Sequence, residues 1–142
     1  MTSRTPSPDR IVVVVRDDLP AWRAVNAAAV LSLTLGTRLS EVTGPGITTA
    51  DGVDLGPLSR HAMPVLVTGR QAIDALHAAA LQDPDAVVVA LDEAMLSTNS
   101  YDQYAEAIRG KPAAAFACFA LVVAGTKSAV RRFTRGLTLY GA

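Results

Sequence analysis

The chain has little of what metal centres and disulfide frameworks are built from. Its 142 residues include one cysteine and two histidines. A single cysteine cannot form an internal disulfide, and neither the C-x-x-C nor the H-x-x-x-H spacing of a zinc site occurs. We therefore expect no metal and no cofactor. Cys118 lies in the apolar run FACFALVVAG, which predicts a buried structural thiol.

Net charge and very long apolar runs are also lacking. The 13 basic and 13 acidic residues cancel, so net charge favours neither nucleic acid nor a membrane surface as a partner. No apolar run reaches the roughly 18 residues that span a membrane, and the N-terminal MTSRTPSPDR has no signal-peptide core. We expect a cytoplasmic protein without a membrane partner, in which residues 1–9 form a disordered tail.

Apolar residues are abundant, at 50% of the chain. Residues 10–142 are therefore expected to form one domain around one core. Four β-branched, unalternating runs predict buried strands, the closing LTLY predicts an edge strand, and the segments between have helical periodicity. This order predicts a three-layer α/β fold with a mostly parallel or mixed sheet of four to five strands. The predicted strands begin at Arg10, Pro64, Ala86 and Phe116, and the predicted helices span 21–35, 70–81, 100–109 and 126–135.

Two of these helices carry further sequence signals. In the second, Ile73, Leu76 and Ala80 are expected to face inward. The third is expected to open at Ser100, with Gln103 three residues on as in a capping box.

The connection over residues 37–63 is rich in glycine and proline. Within it, ITTADGVDL predicts a small hairpin that turns at Asp51 and Gly52. So long a connection in a compact domain is usually functional or an oligomer contact.

A candidate site follows from the strand ends, because ligands of open parallel sheets bind outside the carboxyl ends of the strands. Asp18 and Glu93 are predicted to meet there as catalytic carboxylates, whose pKa values would separate into those of an acid and a base. Alternatively, Asp17 and Asp18 only favour the N-terminus of the following helix and pair with Arg16. The predicted ends are Arg16-Asp17-Asp18, Thr68-Gly69, Asp92-Glu93 and Ala124-Gly125-Thr126.

Arg16 and other polar residues near these ends are candidate ligand contacts. Arg23 and Asn26 share one face of the first helix, and a buried asparagine would need either a ligand or the backbone of the long connection as its partner. Ser97 and Thr98 follow Glu93 in a polar turn. Thr98 is the candidate catalytic hydroxyl and Ser97 a ligand contact, although no histidine is placed to activate a serine.

The last part of the chain is cationic, with six basic and no acidic residues from Arg109 onwards. Lys127, Arg131 and Arg135 recur every four residues and are predicted to share one helix face. Like charges at that spacing repel, so the face is either solvated or a contact for an anion such as phosphate or nucleic acid.

Several segments resemble a bacterial family of unassigned function that shares the fold of type II peptidyl-tRNA hydrolases. They are DLPAWRAVNAAAVLSLTLG, GPGITTADGVDLG, PVLV, EAMLSTNSYDQY and TRGLTLY, and the resemblance covers residues 10–140. It implies that fold and a site after the first strand. Glu93-Ala94 match the hydrolases' later Asp-Ala, with Ser97 and Thr98 near the hydroxyl position.

The first helix departs from the hydrolase pattern of Asp-Leu, Met-Gly-Lys-Gly-Lys and Ala-Ala-Gln. Asp18-Leu19 and Ala27-Ala28 match it. Arginine does not become a neutral amine near neutral pH, so it does not replace lysine in proton transfer. The unmatched positions are Trp22 at a glycine, Arg23 and Val25 at the two lysines, and Ala29 at the glutamine.

Three functions remain open from the sequence. The first is a binding or regulatory module for a small polar ligand or a peptide end, which the loss of the lysines favours. The second is an esterase acting on peptidyl-tRNA or a similar aminoacyl ester, which the cationic C-terminal part favours. The third is a structural homo-oligomer, such as a dimer, assembled through the long connection.

Overall fold

A computed structural model describes residues 7–142, apart from the side chain of Ser40. Most of the predicted disordered tail, residues 1–6, lies outside the described residues. Pro8 is buried, and the Asp9 amide donates a hydrogen bond to the carbonyl oxygen of Gly125 at 2.9 Å. The chain is therefore tied to the domain from residue 8 onwards.

The core of the molecule is a five-stranded sheet with the order β5-β6-β1-β4-β7. A separate two-stranded hairpin, β2 with β3, lies in the connection between the first helix and β4. The turn at Asp51 and Gly52 is the predicted one, and Gly52 has a φ of +93° there. The strands are β1 (Arg10–Arg16), β2 (Ile47–Thr48), β3 (Asp54–Gly56), β4 (Val65–Thr68), β5 (Val87–Asp92), β6 (Cys118–Gly125) and β7 (Thr138–Leu139).

The sheet is mixed rather than mostly parallel. β1 and β4 are parallel, whereas the other three neighbouring pairs are antiparallel. The reason lies between β5 and β6, where a helical pattern suggested a crossover to a parallel strand. That helix packs on the short 3-10 helix Glu93–Leu96 and buries no residue fully. It does not cross the sheet, so β6 starts beside the end of β5 and runs back.

Within residues 7–142 the structure has four α-helices. The second helix has the predicted bounds and buries the predicted Ile73, Leu76 and Ala80. The third begins after Ser100, whose Oγ accepts a hydrogen bond from the Gln103 amide, as the capping pattern predicted. The helices are α1 (Ala21–Arg38), α2 (Arg70–Leu81), α3 (Tyr101–Arg109) and α4 (Lys127–Phe133).

Two helix ends differ from the prediction. We expected α1 to stop at Leu35 with Gly36 beyond its end, but it continues to Arg38, and the Leu39 amide then bonds to the Leu35 carbonyl oxygen. α4 was expected to reach Arg135 and ends two residues earlier. Glycine permits a helix end without requiring one, so packing decides the end of α1.

The elements form the predicted three layers. α1 covers one face of the sheet, where Ile11, Val13 and Val15 point, and α2 and α4 cover the other face, where Val12 and Val14 point. β1 is the central strand and buried along most of its length, which explains why its sequence does not alternate. Each fully buried valine contributes about 1.5 to 3 kcal/mol to the stability of this arrangement. Among the described residues, no helix is both long and apolar enough to cross a membrane.

Candidate functional site

The carboxyl ends of β1, β4 and β5 open on one edge of the sheet, as expected. These three strands run in one direction and end in Arg16, Thr68 and Asp92. The fourth predicted contributor was Ala124-Gly125-Thr126, and this part of the prediction is wrong. β6 runs the opposite way and pairs Gly125 with Arg10, so its carboxyl end lies at the far edge.

Arg16 is the centre of the polar cluster at this edge. It is the last residue of β1 and is buried, and the turn that follows brings Asp18 back over its guanidinium. Arg16 Nε donates to Asp18 Oδ1 at 2.7 Å and Nη2 to Oδ2 at 3.1 Å. Arg16 Nη1 donates to Glu93 Oε1 at 2.5 Å. One guanidinium thus holds both predicted carboxylates.

Arg70 completes the cluster, and the sequence reasoning missed it. It is the first residue of α2, directly after the Thr68-Gly69 strand end. Its Nη1 donates to Glu93 Oε1, and its Nη2 lies 3.8 Å from Asp18 Oδ2. Arg16, Asp18, Arg70 and Glu93 therefore form a closed set of alternating charges, here called the charge ring. The sequence signal for Arg70 was its position directly after the predicted strand end Thr68-Gly69.

Both carboxylates of the charge ring are ionised at neutral pH. The hydrogen bond from Arg16 lowers the pKa of Asp18, and another from Arg16 lowers that of Glu93. The bond to Asp18 in turn raises the pKa of Arg16. The predicted separation of the two carboxyl pKa values is thus not found, because a cation lies between groups that were expected to repel each other.

The charge ring is open to solvent on one side. The exposed fractions are 58% for the Arg70 side chain, 49% for Asp18 and 33% for Glu93. Both hydrogen bonds to Glu93 reach Oε1. Glu93 Oε2 accepts no hydrogen bond from any described residue. The ring therefore offers an accessible guanidinium beside an uncommitted carboxylate oxygen.

Asp92, which the sequence placed at a strand end without assigning it a role, fixes the position of Glu93. It is fully buried and accepts hydrogen bonds from Lys111 Nζ at 2.7 Å and from the amides of Ala94 at 2.8 Å and Ala117 at 2.7 Å. Burial raises the pKa of Asp92, but the bonds from Lys111 and the two amides outweigh it and leave the pKa lowered. Asp92 thus ties the end of β5 to the segment that enters β6.

Three further predicted contacts lie near this edge of the sheet, namely Arg23, Ser97 and Thr98. Arg23 points towards the segment after Glu93, with Nη2 at 3.5 Å from the Leu96 carbonyl oxygen. Ser97 and Thr98 both donate to the Ala94 carbonyl oxygen, at 3.3 Å and 2.9 Å, so their hydroxyl groups are engaged by the backbone.

Asn26 does not lie where it was expected. It is exposed on the solvent side of α1, and no hydrogen bond from it to another described residue is found. The expectation of a buried asparagine tied to the long connection is wrong, because the face of α1 that meets the sheet is that of Ala24, Ala27, Leu31 and Leu35.

The three predicted anion contacts do not lie together beside the charge ring. α4 begins at Lys127, at the far edge of the sheet, where β6 ends. Arg131 and Lys127 are exposed and one helical turn apart, but Arg135 lies beyond the last residue of α4. The prediction of one helix face for all three residues is therefore wrong.

His77 and Cys118 serve packing. His77 is half-buried against Phe116, with ring centroids 4.9 Å apart, and burial lowers its pKa. Cys118 is buried as predicted, and burial raises its pKa to about 12. Among residues 7–142, no group of three His, Cys, Asp or Glu side chains is placed to hold a metal ion.

Comparisons with other proteins identify relatives without an assigned activity. A solved structure of a protein of unknown function from Agrobacterium tumefaciens strain C58 matches with a TM-score of 0.84 and 22% sequence identity, over 93% of this chain and 97% of that one. At this identity the match shows a shared fold. No curated protein matches the chain. The DUF2000 family, described as a protein of unknown function, matches residues 9–141. The chain therefore belongs to the DUF2000 family.

Proposed function

We propose that this chain is a binding module whose site is the charge ring. Its ligand carries both an ammonium and a carboxylate group, as a free amino acid or a short peptide does at its ends. One observation carries the proposal: the exposed guanidinium of Arg70 lies beside Glu93, whose Oε2 is not engaged by any described residue. A guanidinium binds a carboxylate through two parallel N–H groups, and a carboxylate oxygen accepts from an ammonium.

Arg70 is the member of the ring that a purely structural role does not require. Arg16 already donates to both carboxylates from a buried position. An ion pair as exposed as that of Arg70 contributes about 0 to 1 kcal/mol to stability. We infer that Arg70 serves a ligand rather than the fold.

The rest of the ring prepares the site for such a ligand. Arg16 holds Asp18 and Glu93 in fixed positions, and Asp92 fixes the backbone on which Glu93 lies. A ligand therefore does not have to order these side chains on binding, which reduces the entropic cost of association. The location supports the proposal too, because α/β folds bind ligands beyond the carboxyl ends of their parallel strands.

The esterase alternative fits the ring less well. Ester hydrolysis with general-base assistance needs a group that accepts a proton near neutral pH. The ring supplies two carboxylates with lowered pKa values and two guanidinium groups that do not deprotonate. The type II peptidyl-tRNA hydrolase fold and tRNA as a partner remain predictions from the sequence resemblance, and we do not favour the second.

Isothermal titration calorimetry with the dipeptide glycylglycine tests the proposal. We expect millimolar or tighter binding, weakened at least about tenfold when the amino group is acetylated or the carboxylate is amidated, since each loses a charge-assisted hydrogen bond. Arg70→Gln and Glu93→Gln should weaken binding similarly. Arg131→Gln, on α4, is the matched control and should bind like the wild type. If wild-type protein binds neither dipeptides nor free amino acids, or if Arg70→Gln binds as well as the wild type, the proposal is wrong.

A further inference from the structure

The outer face of α1 carries an apolar stripe beside the exposed Asn26, and the Arg23 guanidinium lies over its Trp22 ring at 4.5 Å from the ring centroid. Trp22, Val25 and Leu33 are 64%, 65% and 75% exposed. With Ala29 and Gly36 they recur at three- and four-residue spacing, so they lie along one side of the helix. No charged residue occurs between Arg23 and Arg38. A helix face in contact with water normally carries charged or polar side chains, so this face is suited to a partner.

The sheet face beneath α1 is covered by α1 and by residues of the connection that follows it, among them Leu39, Val42 and Met63. α1 is the only α-helix of the described chain on that face, whereas α2 and α4 share the other. A helix about 10 Å wide covers about two strands at a spacing of about 4.8 Å, which is less than half of a five-stranded sheet. Val65 and Val67 of β4 are partly buried on that face. The connection therefore covers the part of this face that α1 leaves, and the surface open to a partner is the outer face of α1.

We infer that α1 of a second copy of this chain packs on this outer face, in a symmetric dimer with the two helices antiparallel. The sequence of the stripe is complementary to itself about Ala29. In that register Trp22 of one copy lies opposite Gly36 of the other, and Val25 lies opposite Leu33. The largest side chain thus faces the residue with none, and a Cβ placed on Gly36 would meet no atom within 4 Å. Ala29 at the centre lets the helices approach closely.

The charges at the two ends of α1 fit the same arrangement. Asp17 and Asp18 precede its N-terminus, and Arg38 is its exposed last residue. In the antiparallel dimer, Arg38 of each copy lies near the acidic turn of the other, and the helix dipoles oppose each other favourably. This contact also brings the second copy next to the charge ring. The inference rests on α1 and the turn before it, and it goes beyond the proposed function.

The size of the surface sets the expected strength. α1 has 18 residues, so it is about 27 Å long, and its outer half presents on the order of 400 Å² per copy. This is below the roughly 800 Å² per partner of standard interfaces. We therefore expect a reversible dimer with a dissociation constant in the micromolar range.

Sedimentation equilibrium with parallel fluorescence measurement tests the dimer. Trp22 is the single tryptophan of the chain, so its emission reports directly on this face. The wild type should change from 14.8 kDa to twice that mass with rising concentration, and Trp22 emission should shift to the blue in step. Ala29→Arg, which places like charges opposite each other at the centre, should weaken association at least a hundredfold. Leu81→Arg, an exposed position on α2, is the control and should associate like the wild type.

A cysteine variant tests the register and does not depend on a loss of association. Ala29→Cys should form a disulfide between two copies under mild oxidation, whereas Ala78→Cys on α2 should not; native Cys118 is buried and does not compete. Leu55→Arg tests the hairpin of the long connection as the alternative interface. A wild type that stays monomeric at several hundred micromolar overturns the inference. So does a dimer that Leu55→Arg disrupts and Ala29→Arg does not.

Discussion

Arg16 Nη1 donates to Glu93 Oε1 at 2.5 Å, although the two residues are 77 positions apart in the chain. The contact joins the end of β1 to the segment after β5, two strands that β6 separates in the sheet. Because Arg16 is buried while Glu93 is partly exposed, the arginine holds the carboxylate from below and leaves its other side to solvent. The relation makes Arg16 a positioning residue and Glu93 an accessible one.

Replacing Arg16 by methionine should lower the free energy of unfolding by about 1 to 3 kcal/mol. The change leaves Asp18 and Glu93 without their main partner, and the loss is smaller than the about 3 to 5 kcal/mol for breaking a fully buried pair, because both carboxylates reach water. Arg70→Met should cost less than about 1 kcal/mol. Urea denaturation measures both, and an equal loss for the two variants would contradict this division of roles.

Asp92→Ala should destabilise the protein more, by about 3 to 5 kcal/mol. It removes the acceptor of two backbone amides and leaves Lys111 without its carboxylate partner. Lys111→Met is the matched variant. In a double-mutant cycle, Asp92 and Lys111 should show a coupling energy of about 1 kcal/mol or more. Purely additive effects would show that the lysine does not stabilise the carboxylate.

Stability should fall as the pH drops below about 4. Asp18, Glu93 and Asp92 all have pKa values below their ordinary ones, so at intermediate pH the folded protein binds fewer protons than the unfolded chain. Their contribution is fully present above the unfolded values of about 4 and is lost as pH falls through the lower, folded values. In Arg16→Met the slope of stability against pH below about pH 4 should be shallower, with the part due to Asp92 retained. Urea denaturation from about pH 3 to pH 7 measures this slope, and an unchanged slope in Arg16→Met would refute the assignment.

Hydrolysis of peptidyl-tRNA should be poor. In the sequence resemblance, Arg23 and Val25 match positions at which type II hydrolases carry lysine. The loss of general acid–base assistance slows a reaction by about a hundredfold or more. Release of tRNA from a purified peptidyl-tRNA substrate measures the activity. Turnover equal to that of a lysine-bearing type II enzyme, abolished by Glu93→Ala, would favour the esterase instead.

Local sequence patterns predicted most of the fold. The unalternating β1, the inward residues of α2 and the capping of α3 by Ser100 all depend on neighbours within a few positions. The direction of β6 was not predictable in the same way. It depends on whether α3 packs on the sheet or on the rim, and the period of an amphipathic helix is the same in both cases.

The sequence predicted the sheet edge at which the charged residues of the candidate site lie, but not which of them contact one another. Arg70 and Asp92 gain their roles from residues 19 to 25 positions away, which no local pattern encodes. Asn26 failed for another reason. α1 is apolar on two sides, so its sequence does not show which side meets the sheet. The side that carries Asn26 was expected to be buried, and it is exposed.

The central claim is that the charge ring binds a ligand with both charges at Arg70 and Glu93. A titration followed by ¹H–¹⁵N correlation spectra, including the arginine Nε–H resonances, tests it most directly. Addition of glycylglycine should shift the Arg70 Nε–H resonance and the amides of residues 17–19, 69–71 and 93–97. The spectrum of α4 should stay unchanged. Shifts confined to other regions, or no shift at concentrations of tens of millimolar, would contradict the account.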